Sequence, residues 1–195
     1  LKDKTVCVAG LGYVGLPLAE AFSRHLKTIG YDLDAKKIDR INAGPGNKVI
    51  ATTDPVMIRE ADVVIIAVPT PVTKAKDPDI SYIVSAAEIV GRNMKEDAIV
   101  VLESTVYPGL TEEIMVPTLE RVSGKVCGKD FAVGYSPERI NPGDAEHALE
   151  KITKIVSGMD EKTTELLSAL YGLVTRVYVA QDIRTAEAAK VIENV

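Results

Sequence analysis

Three glycines and one aspartate have the residue types and spacing of a nucleotide-phosphate site. Gly10, Gly12 and Gly15 form a GxGxxG pattern directly after an apolar run, and Asp32 ends a second apolar run 22 positions after Gly10. In such a unit the glycines make a tight turn, admit a pyrophosphate and let the helix pack on the strand. The pyrophosphate rests on free N–H groups at the helix start, and the acid binds the ribose hydroxyls. The pattern therefore predicts dinucleotide binding, with a methyltransferase-type glycine loop as the alternative.

The acid at the end of the second run also bears on the kind of dinucleotide. A carboxylate at this position disfavours a 2′-phosphate, so Asp32 favours NAD over NADP. Lys36, Lys37 and Arg40 follow closely and supply positive charge that a 2′-phosphate would use. The sequence therefore indicates a preference for NAD and not a strict selectivity.

Three further stretches carry polar side chains, and each follows an apolar run typical of a strand. They are Val68-Pro69-Thr70-Pro71, Glu103-Ser104-Thr105 and Glu138-Arg139-Ile140-Asn141. Taken singly, each has a structural explanation, because a Thr at a strand end usually caps a helix and adjacent Glu and Arg side chains usually form a solvated pair. Since the carboxyl ends of parallel strands meet at one edge of a sheet, we expect these stretches and the glycine turn to line one crevice.

Strand-like and helix-like patterns alternate along the whole chain, and this alternation positions the polar stretches. We predict strands at residues 6–9, 28–31, 62–68, 98–102, 131–135, 152–156 and 176–179. We predict helices from about residue 15 and at residues 34–42, 56–59, 80–90, 111–121, 161–171 and 183–195. This order predicts an α/β fold with a doubly wound, mostly parallel sheet, the Rossmann dinucleotide-binding fold.

Composition and charge exclude several classes of function. The net charge is −5 and there is no basic run, so a nucleic-acid partner is not expected. The longest apolar stretch, residues 63–68, is far shorter than the ~20 residues of a membrane span, and no signal-peptide pattern opens the chain. We therefore expect a cytoplasmic protein without a membrane partner. Cys7 and Cys127 suit a reducing compartment and are expected to be structural, and no metal site is expected.

Five motifs together resemble those of the nucleotide-sugar 6-dehydrogenases. They are GLGYVGLPLA, VPTP, ESTVYPGLTEE, GYSPERINPGD and AEAAKVIEN, in the family's order over nearly the whole chain. The ERINPGD loop resembles the branch that acts on UDP-N-acetylhexosamines more than the branch that acts on UDP-glucose. The resemblance implies an NAD-dependent, four-electron oxidation of the sugar C6 alcohol to a carboxylate, through an aldehyde and a cysteine thioester, for surface polysaccharide synthesis.

The resemblance also implies roles for individual residues. Thr105 would contact the nicotinamide region and position a water, and Glu138 would act as general acid and base in thioester hydrolysis. Lys190 and Asn194, four residues apart on one helical face, would stabilise an oxyanion. The implied cofactor-binding residues are Gly10, Gly12, Tyr13, Val14, Gly15, Asp32, Lys37, Thr70 and Thr105. The implied substrate-binding residues are Glu138, Arg139, Ile140, Lys190 and Asn194.

The resemblance predicts how the chain divides. Residues 1–183 are expected to form the NAD-binding domain, and residues 184–195 the start of an interdomain and dimerisation helix. The catalytic-cysteine and UDP-binding domains are expected to be absent from this chain. Neither Cys7 nor Cys127 matches the family's nucleophile, so we expect the chain alone to bind NAD without turnover. The full-length enzyme is expected to be a homodimer.

Two alternatives stay open at this point. A β-hydroxyacid dehydrogenase of the 6-phosphogluconate type shares the fold and a catalytic helix lysine, although the ERINPGD and ESTVYPG motifs speak against it. A stand-alone NAD-binding module without chemistry is the second alternative, and it requires that the natural chain end near Val195.

Overall fold

An eight-stranded sheet forms the centre of the molecule, which is described by a computed structural model over residues 1–71, 78–138 and 152–193. In chain order the strands are β1 (Thr5–Ala9), β2 (Lys27–Tyr31), β3 (Ile50–Thr52), β4 (Val63–Ile66), β5 (Ala98–Leu102), β6 (Phe131–Tyr135), β7 (Thr153–Gly158) and β8 (Arg176–Val179). Their order across the sheet is β3-β2-β1-β4-β5-β6-β7-β8. Strands β1 to β6 run parallel, which confirms the predicted fold class.

Six α-helices are described, together with one 3-10 helix and one π-helical turn. The α-helices are α1 (Gly15–Ser23), α2 (Ala35–Asn42), α3 (Ser81–Asn93), α4 (Val116–Ser123), α5 (Glu161–Tyr171) and α6 (Ile183–Glu193). Several begin at aspartates, because a carboxylate accepts a hydrogen bond from a free backbone N–H of the first turn. Asp34 caps α2 in this way, and Asp160 caps α5.

The sheet is buried on both faces because alternate residues of its strands point to opposite sides. Val6 and Val8 of β1 pack in one apolar cluster with α1, α2 and α5. Cys7 and Ala9 pack in a second cluster with α3, α4 and α6. Helices on both faces give the predicted doubly wound arrangement, and they leave the ends of the strands as the accessible edges of the sheet.

The structure corrects several local predictions. Strand β3 was not predicted, because three residues at a half-exposed edge carry too little apolar pattern. The strand predicted at 62–68 is only Val63–Ile66, and the helix predicted at 56–59 is a 3-10 helix, Pro55–Glu60. The helix predicted at 111–121 begins as a π-helical turn, Thr111–Met115, that continues into α4.

Strands β7 and β8 run opposite to the other six, since β7 pairs antiparallel with β6. Gly134 lies opposite Gly158 in that pair. A Cβ added at Gly134 would lie 2.3 Å from Leu167 Cδ1, so the missing side chain lets α5 pack closely there. The residues of a strand do not reveal its direction, which depends on the path of the connecting segment.

Helix α6 begins at Ile183, next to the predicted domain boundary between residues 183 and 184. Its residues Ile183 and Ala186 are buried in the same cluster as α3 and α4. The boundary itself stays a prediction. Within the described ranges, the helices are too short or too polar for any of them to cross a membrane.

Candidate functional site

A cleft of about 340 Å³ opens at the carboxyl ends of the parallel strands. Its lining comes from the glycine turn after β1, the end of β2, the loops after β4 and β5, helix α3, and Glu138 after β6. The cleft thus contains most of the predicted site residues, and they are Gly10, Gly12, Tyr13, Val14, Asp32, Lys37, Thr70, Thr105 and Glu138. One edge of the sheet gathers these residues from distant parts of the chain, as the sequence predicted.

The glycine turn has the geometry that a pyrophosphate requires. Gly10 has a φ of +99°, which only glycine adopts readily. A Cβ at Gly15 would lie 1.8 Å from the Gly10 carbonyl oxygen, whereas a Cβ at Gly12 would meet no described atom within 4 Å. Helix α1 starts after Val14 without a side-chain cap among the described residues. The Leu16 N–H donates to the Gly12 carbonyl at 3.1 Å, so the N–H groups of Tyr13 and Val14 before it are the ones available to an anion.

Asp32 lies at the end of β2 and is fixed by three hydrogen bonds. Its Oδ2 accepts from the Leu11 N–H at 2.8 Å and from Lys37 Nζ at 2.7 Å, and its Oδ1 accepts from the Asp34 N–H at 3.0 Å. Burial opposes ionisation, but the hydrogen bond from Lys37 and those from the backbone outweigh it and hold the pKa of Asp32 below its ordinary value. The acid is therefore ionised and ready to accept hydrogen bonds from ribose hydroxyls. The charge of Lys37 is already matched by Asp32.

Glu138 lies half-buried at the other end of the cleft. Tyr13 of the glycine turn donates a hydrogen bond from its hydroxyl to Glu138 Oε2 at 3.3 Å. Burial raises the pKa of Glu138, while the positive charge of Lys190, the Tyr13 hydroxyl and Lys154 partly offset this rise. A carboxyl with a raised pKa exchanges protons closer to neutral pH, which suits a general acid and base. Glu138 is therefore not the solvated surface residue that its sequence neighbourhood would allow.

The loops after β4 and β5 are bonded to each other. Thr70 Oγ1 donates to the Thr105 carbonyl at 2.9 Å, and Ser104 Oγ donates to the Val68 carbonyl at 2.5 Å. The hydroxyl of Tyr135 on β6 donates to the Ser104 carbonyl at 3.1 Å. These bonds fix Thr105 in the wall of the cleft.

A buried ion pair lies beneath this wall, and sequence reasoning did not find it. Glu103, in the stretch predicted to line the crevice, is 1% exposed and is paired with Lys154 Nζ, which is also 1% exposed. Tyr171 donates its hydroxyl to Glu103 Oε2 at 2.6 Å, and Lys154 Nζ donates to the Pro137 carbonyl at 3.0 Å. Pro137 immediately precedes Glu138, so this cluster ties the backbone at Glu138 to β5 and β7. The sequence signal that could have indicated this ion pair is Lys154, a charged residue within the otherwise apolar pattern of β7.

The predicted Lys190, on α6, is not among the described residues that line the cleft, but it lies near enough to Glu138 for its charge to act on that carboxyl. Lys190 is partly buried. Glu187, one turn earlier, is completely buried and accepts hydrogen bonds from the segment that follows Thr105. The predicted residues Arg139, Ile140 and Asn194 lie outside the described residues.

Neither cysteine has the properties of an activated nucleophile. Burial raises the pKa of Cys7 to about 12. Burial and the nearby Glu120 carboxylate raise the pKa of Cys127 to about 11. Both thiols therefore stay protonated at neutral pH, and the described lining of the cleft contains no cysteine.

Comparison with known proteins agrees with this geometry. Protein CapL of Staphylococcus aureus is 48% identical over 98% of this chain and 49% of its own length. A UDP-N-acetyl-D-glucosamine 6-dehydrogenase of Pseudomonas aeruginosa is 41% identical over 100% of this chain and 50% of its own length. The structure of UDP-D-ManNAc dehydrogenase from Pyrococcus horikoshii superposes with a TM-score of 0.89 at 34% identity, over 97% of this chain and 50% of that one.

The chain thus spans about half the length of the curated relatives it matches. These relatives favour the nucleotide-sugar dehydrogenase interpretation over a β-hydroxyacid dehydrogenase. Residues 45–175 match the family model described as "UDP-glucose/GDP-mannose dehydrogenase family, NAD binding domain". The chain therefore belongs to the UDP-glucose/GDP-mannose dehydrogenase family and carries its NAD-binding domain.

Proposed function

We propose that this chain forms the NAD-binding part of an enzyme that oxidises the C6 alcohol of a UDP-N-acetylhexosamine to the uronate, with two NAD consumed per sugar. The observation that carries the proposal is the single cleft that holds the glycine turn and Asp32 at one end and Thr105 and Glu138 at the other. The glycine turn and Asp32 would hold the dinucleotide, and Thr105 and Glu138 would serve the part of the cleft where the sugar is oxidised.

The cofactor-binding roles follow from the contacts in the cleft. Gly12 would leave space for the pyrophosphate, and the backbone N–H groups of Tyr13 and Val14 would donate hydrogen bonds to its oxygens. Asp32 would accept hydrogen bonds from the ribose hydroxyls, and Lys37 holds the Asp32 carboxylate in place. Thr70 and Thr105, which are hydrogen-bonded to each other, would form the wall of the cleft against the nicotinamide ring. Bound NAD supplies the chemistry of hydride acceptance, once at the alcohol and once at the aldehyde level.

The charged residues at the Glu138 end act on protons and oxygens. Lys190 stabilises the oxygen at C6 as negative charge develops on it, and this makes hydride loss from carbon easier. Glu138 accepts the proton of the attacking water, and its raised pKa lets it return a proton later in the cycle. Asn194, Arg139 and Ile140 are proposed on resemblance alone to contact the oxyanion and the sugar.

The class of sugar is proposed from one loop and from the named relatives. The ERINPGD loop resembles the N-acetylhexosamine branch, and relatives at 41% and 36% identity are named as dehydrogenases of UDP-N-acetyl-D-glucosamine and UDP-N-acetyl-D-mannosamine. We propose further that the enzyme works in the cytoplasm, as a homodimer, in surface polysaccharide synthesis. Because Cys7 and Cys127 are unsuited to nucleophilic attack, the chain by itself is expected to bind NAD without completing the oxidation.

The direct test follows NADH formation at 340 nm in the natural protein that carries this chain. UDP-N-acetylglucosamine, UDP-N-acetylmannosamine, UDP-N-acetylgalactosamine and UDP-glucose are compared at equal concentration. We expect an N-acetylated sugar to give the highest kcat/KM and two NADH per sugar consumed. A higher kcat/KM with UDP-glucose than with the N-acetylated sugars would assign the protein to the branch that acts on UDP-glucose. No NADH formation with any UDP-sugar would contradict the proposal.

The Lys190→Ala variant tests the assigned chemistry. We expect kcat to fall by about a hundredfold or more, because the oxyanion loses its positive partner, while the Kd for NAD stays nearly unchanged. The matched control is Lys162→Ala, an exposed lysine on α5. An unaltered kcat in Lys190→Ala would remove this residue from the catalytic set.

A further inference from the structure

A completely buried carboxylate on α6 has no role in the proposed chemistry. Glu187 is 0% exposed. It accepts hydrogen bonds from the Gly109 N–H at 2.5 Å, the Thr111 N–H at 3.0 Å and the Thr111 hydroxyl at 2.6 Å. Burying an ionised carboxylate costs several kcal/mol unless such bonds replace its water. Three converging donors, two of them backbone groups, meet this requirement.

These bonds join α6 to the loop that carries Thr105. Gly109 and Thr111 lie where that loop enters the π-helical turn Thr111–Met115. A second contact lies one turn earlier on α6, where Arg184 donates to Glu112 at 2.7 Å and to Glu113 at 2.9 Å. The Arg184 contact is exposed and therefore weak. Of these two polar contacts between α6 and the loop, the buried one at Glu187 is therefore the stronger.

The position of Glu187 sets the direction of Lys190. Residues three apart on a helix lie on the same side, so Lys190 leaves α6 one turn beyond Glu187. Ile183 and Ala186 pack the same side of the helix into the core. If α6 turned or slid, the charge of Lys190 would move away from Glu138.

We propose that Glu187 is a positioning residue, which latches α6 to the segment 109–111 and thereby holds Lys190 beside Glu138. An apolar side chain could also attach the helix, and often at lower cost in free energy. An apolar side chain would lack the directional hydrogen bonds that favour one rotation of the helix about its axis and one position along that axis. The inference rests on the roles proposed above for Lys190 and Glu138.

The ionisation of Glu138 reports where Lys190 lies. The groups that act on the Glu138 carboxylate are Tyr13 from the glycine turn, Lys190 from α6, Lys154 from β7 and Glu103 from β5. Removing the negative charge of Glu187 would by itself lower the pKa of Glu138, because like charges disfavour ionisation. Movement of Lys190 away from Glu138 would raise it. The two effects have opposite signs, so the sign of the pKa shift of Glu138 distinguishes positioning of Lys190 from a direct charge effect of Glu187.

The experiment measures the pKa of the Glu138 carboxyl by ¹³C NMR in this chain, with its variants Glu187→Gln, Thr111→Val and Lys190→Ala. We expect Glu187→Gln to raise the pKa of Glu138 by at least half of the rise that Lys190→Ala produces. Thr111→Val keeps the charge of Glu187, removes one donor, and should give a smaller rise. In the Lys190→Ala background, Glu187→Gln should no longer raise the pKa. Arg184→Gln, at the exposed contact, serves as the control and should give little change.

Each outcome has a defined meaning. A lowered or unchanged pKa of Glu138 in both folded Glu187→Gln and Thr111→Val would overturn the latch. If Glu187→Gln does not fold, the direction of the shift in Thr111→Val decides. If Lys190→Ala leaves the pKa of Glu138 unchanged, Lys190 does not lie close enough to act on Glu138, and the premise of the inference fails while the proposed role of each residue is tested by kcat.

Discussion

The two ends of the cleft are built in different ways. The cofactor end comes from one continuous stretch of chain, in which the turn after β1 is bonded through Leu11 to Asp32. The Glu138 end comes from three distant strand ends and α6. It is held by two buried carboxylates, Glu103 paired with Lys154 and Glu187 bonded to Gly109 and Thr111.

One end of the cleft is therefore formed by contacts between residues close in sequence, and the other by contacts between residues far apart in sequence. At the cofactor end, backbone geometry and short-range hydrogen bonds make the site, so substitutions there that fit the turn without a clash should affect NAD binding more than the fold. At the Glu138 end, buried charges hold the loops together, so substitutions there should affect stability and the pKa of Glu138. Substitutions at the two ends should therefore change different properties of the protein.

Lys154→Met should destabilise the fold by about 3–5 kcal/mol, because it leaves the Glu103 carboxylate buried without its ammonium partner. Chemical denaturation gives the change in the free energy of unfolding. The control is Lys95→Met, which removes a partly exposed ion pair with Asp62 and should cost less than about 1 kcal/mol. Equal losses in the two variants would show that the buried pair does not hold the Glu138 end together.

Gly15→Ala and Gly12→Ala should have opposite patterns of effect. The Cβ that Gly15→Ala introduces would overlap the Gly10 carbonyl, so we expect a loss of about 1–3 kcal/mol or more in the free energy of unfolding. The Cβ that Gly12→Ala introduces has space around it but would occupy the pyrophosphate position. We therefore expect Gly12→Ala to fold normally and to bind NAD about tenfold or more weakly by calorimetry. Normal NAD affinity in Gly12→Ala would place the pyrophosphate elsewhere.

Asp32→Asn should weaken NAD binding by about tenfold, since a neutral amide accepts ribose hydrogen bonds less strongly than a carboxylate. The same change should narrow the difference in affinity between NAD and NADP, because a 2′-phosphate is no longer repelled. The control is Asp34→Asn two residues away, since asparagine also caps a helix well. Isothermal titration calorimetry measures all three proteins, and equal weakening in both variants would argue against a specific role for Asp32.

Tyr13→Phe should give the smallest effect, a further rise in the pKa of Glu138. The Tyr13 hydroxyl donates to the ionised carboxylate, so its loss disfavours ionisation.

Because the pKa of Glu138 in the folded protein is already raised, the contribution of Glu138 to stability is present at low pH and is lost as pH rises through that pKa. The rate of any step that uses ionised Glu138 as a base should rise over the same pH range. In Tyr13→Phe this rise should occur at higher pH. Tyr82→Phe on α3, in the same cleft, should leave the NMR titration of Glu138 unchanged.

The same division explains what the sequence could predict. The strand, glycine turn, helix and acid from residues 5 to 32 follow local rules, and the structure places them as expected. The strand directions of β7 and β8 depend on connections, and the pairing of Glu103 with Lys154 joins residues 51 positions apart. A glutamate after a strand does not reveal from its own neighbours whether it faces a ligand or a buried lysine. Glu187 stands one turn before Lys190 in the AEAAK motif, but only its burial distinguishes it from a surface residue.

If both ends of the cleft form one NAD site, a titration with NAD should affect both of them. NAD is added to this chain while calorimetry records the heat and ¹³C NMR records the Glu138 carboxyl resonance. We expect saturable one-to-one binding at or below millimolar NAD, with the Glu138 resonance shifting along the same binding curve. Absence of binding at millimolar NAD, or binding that leaves the Glu138 resonance unmoved, would contradict this expectation.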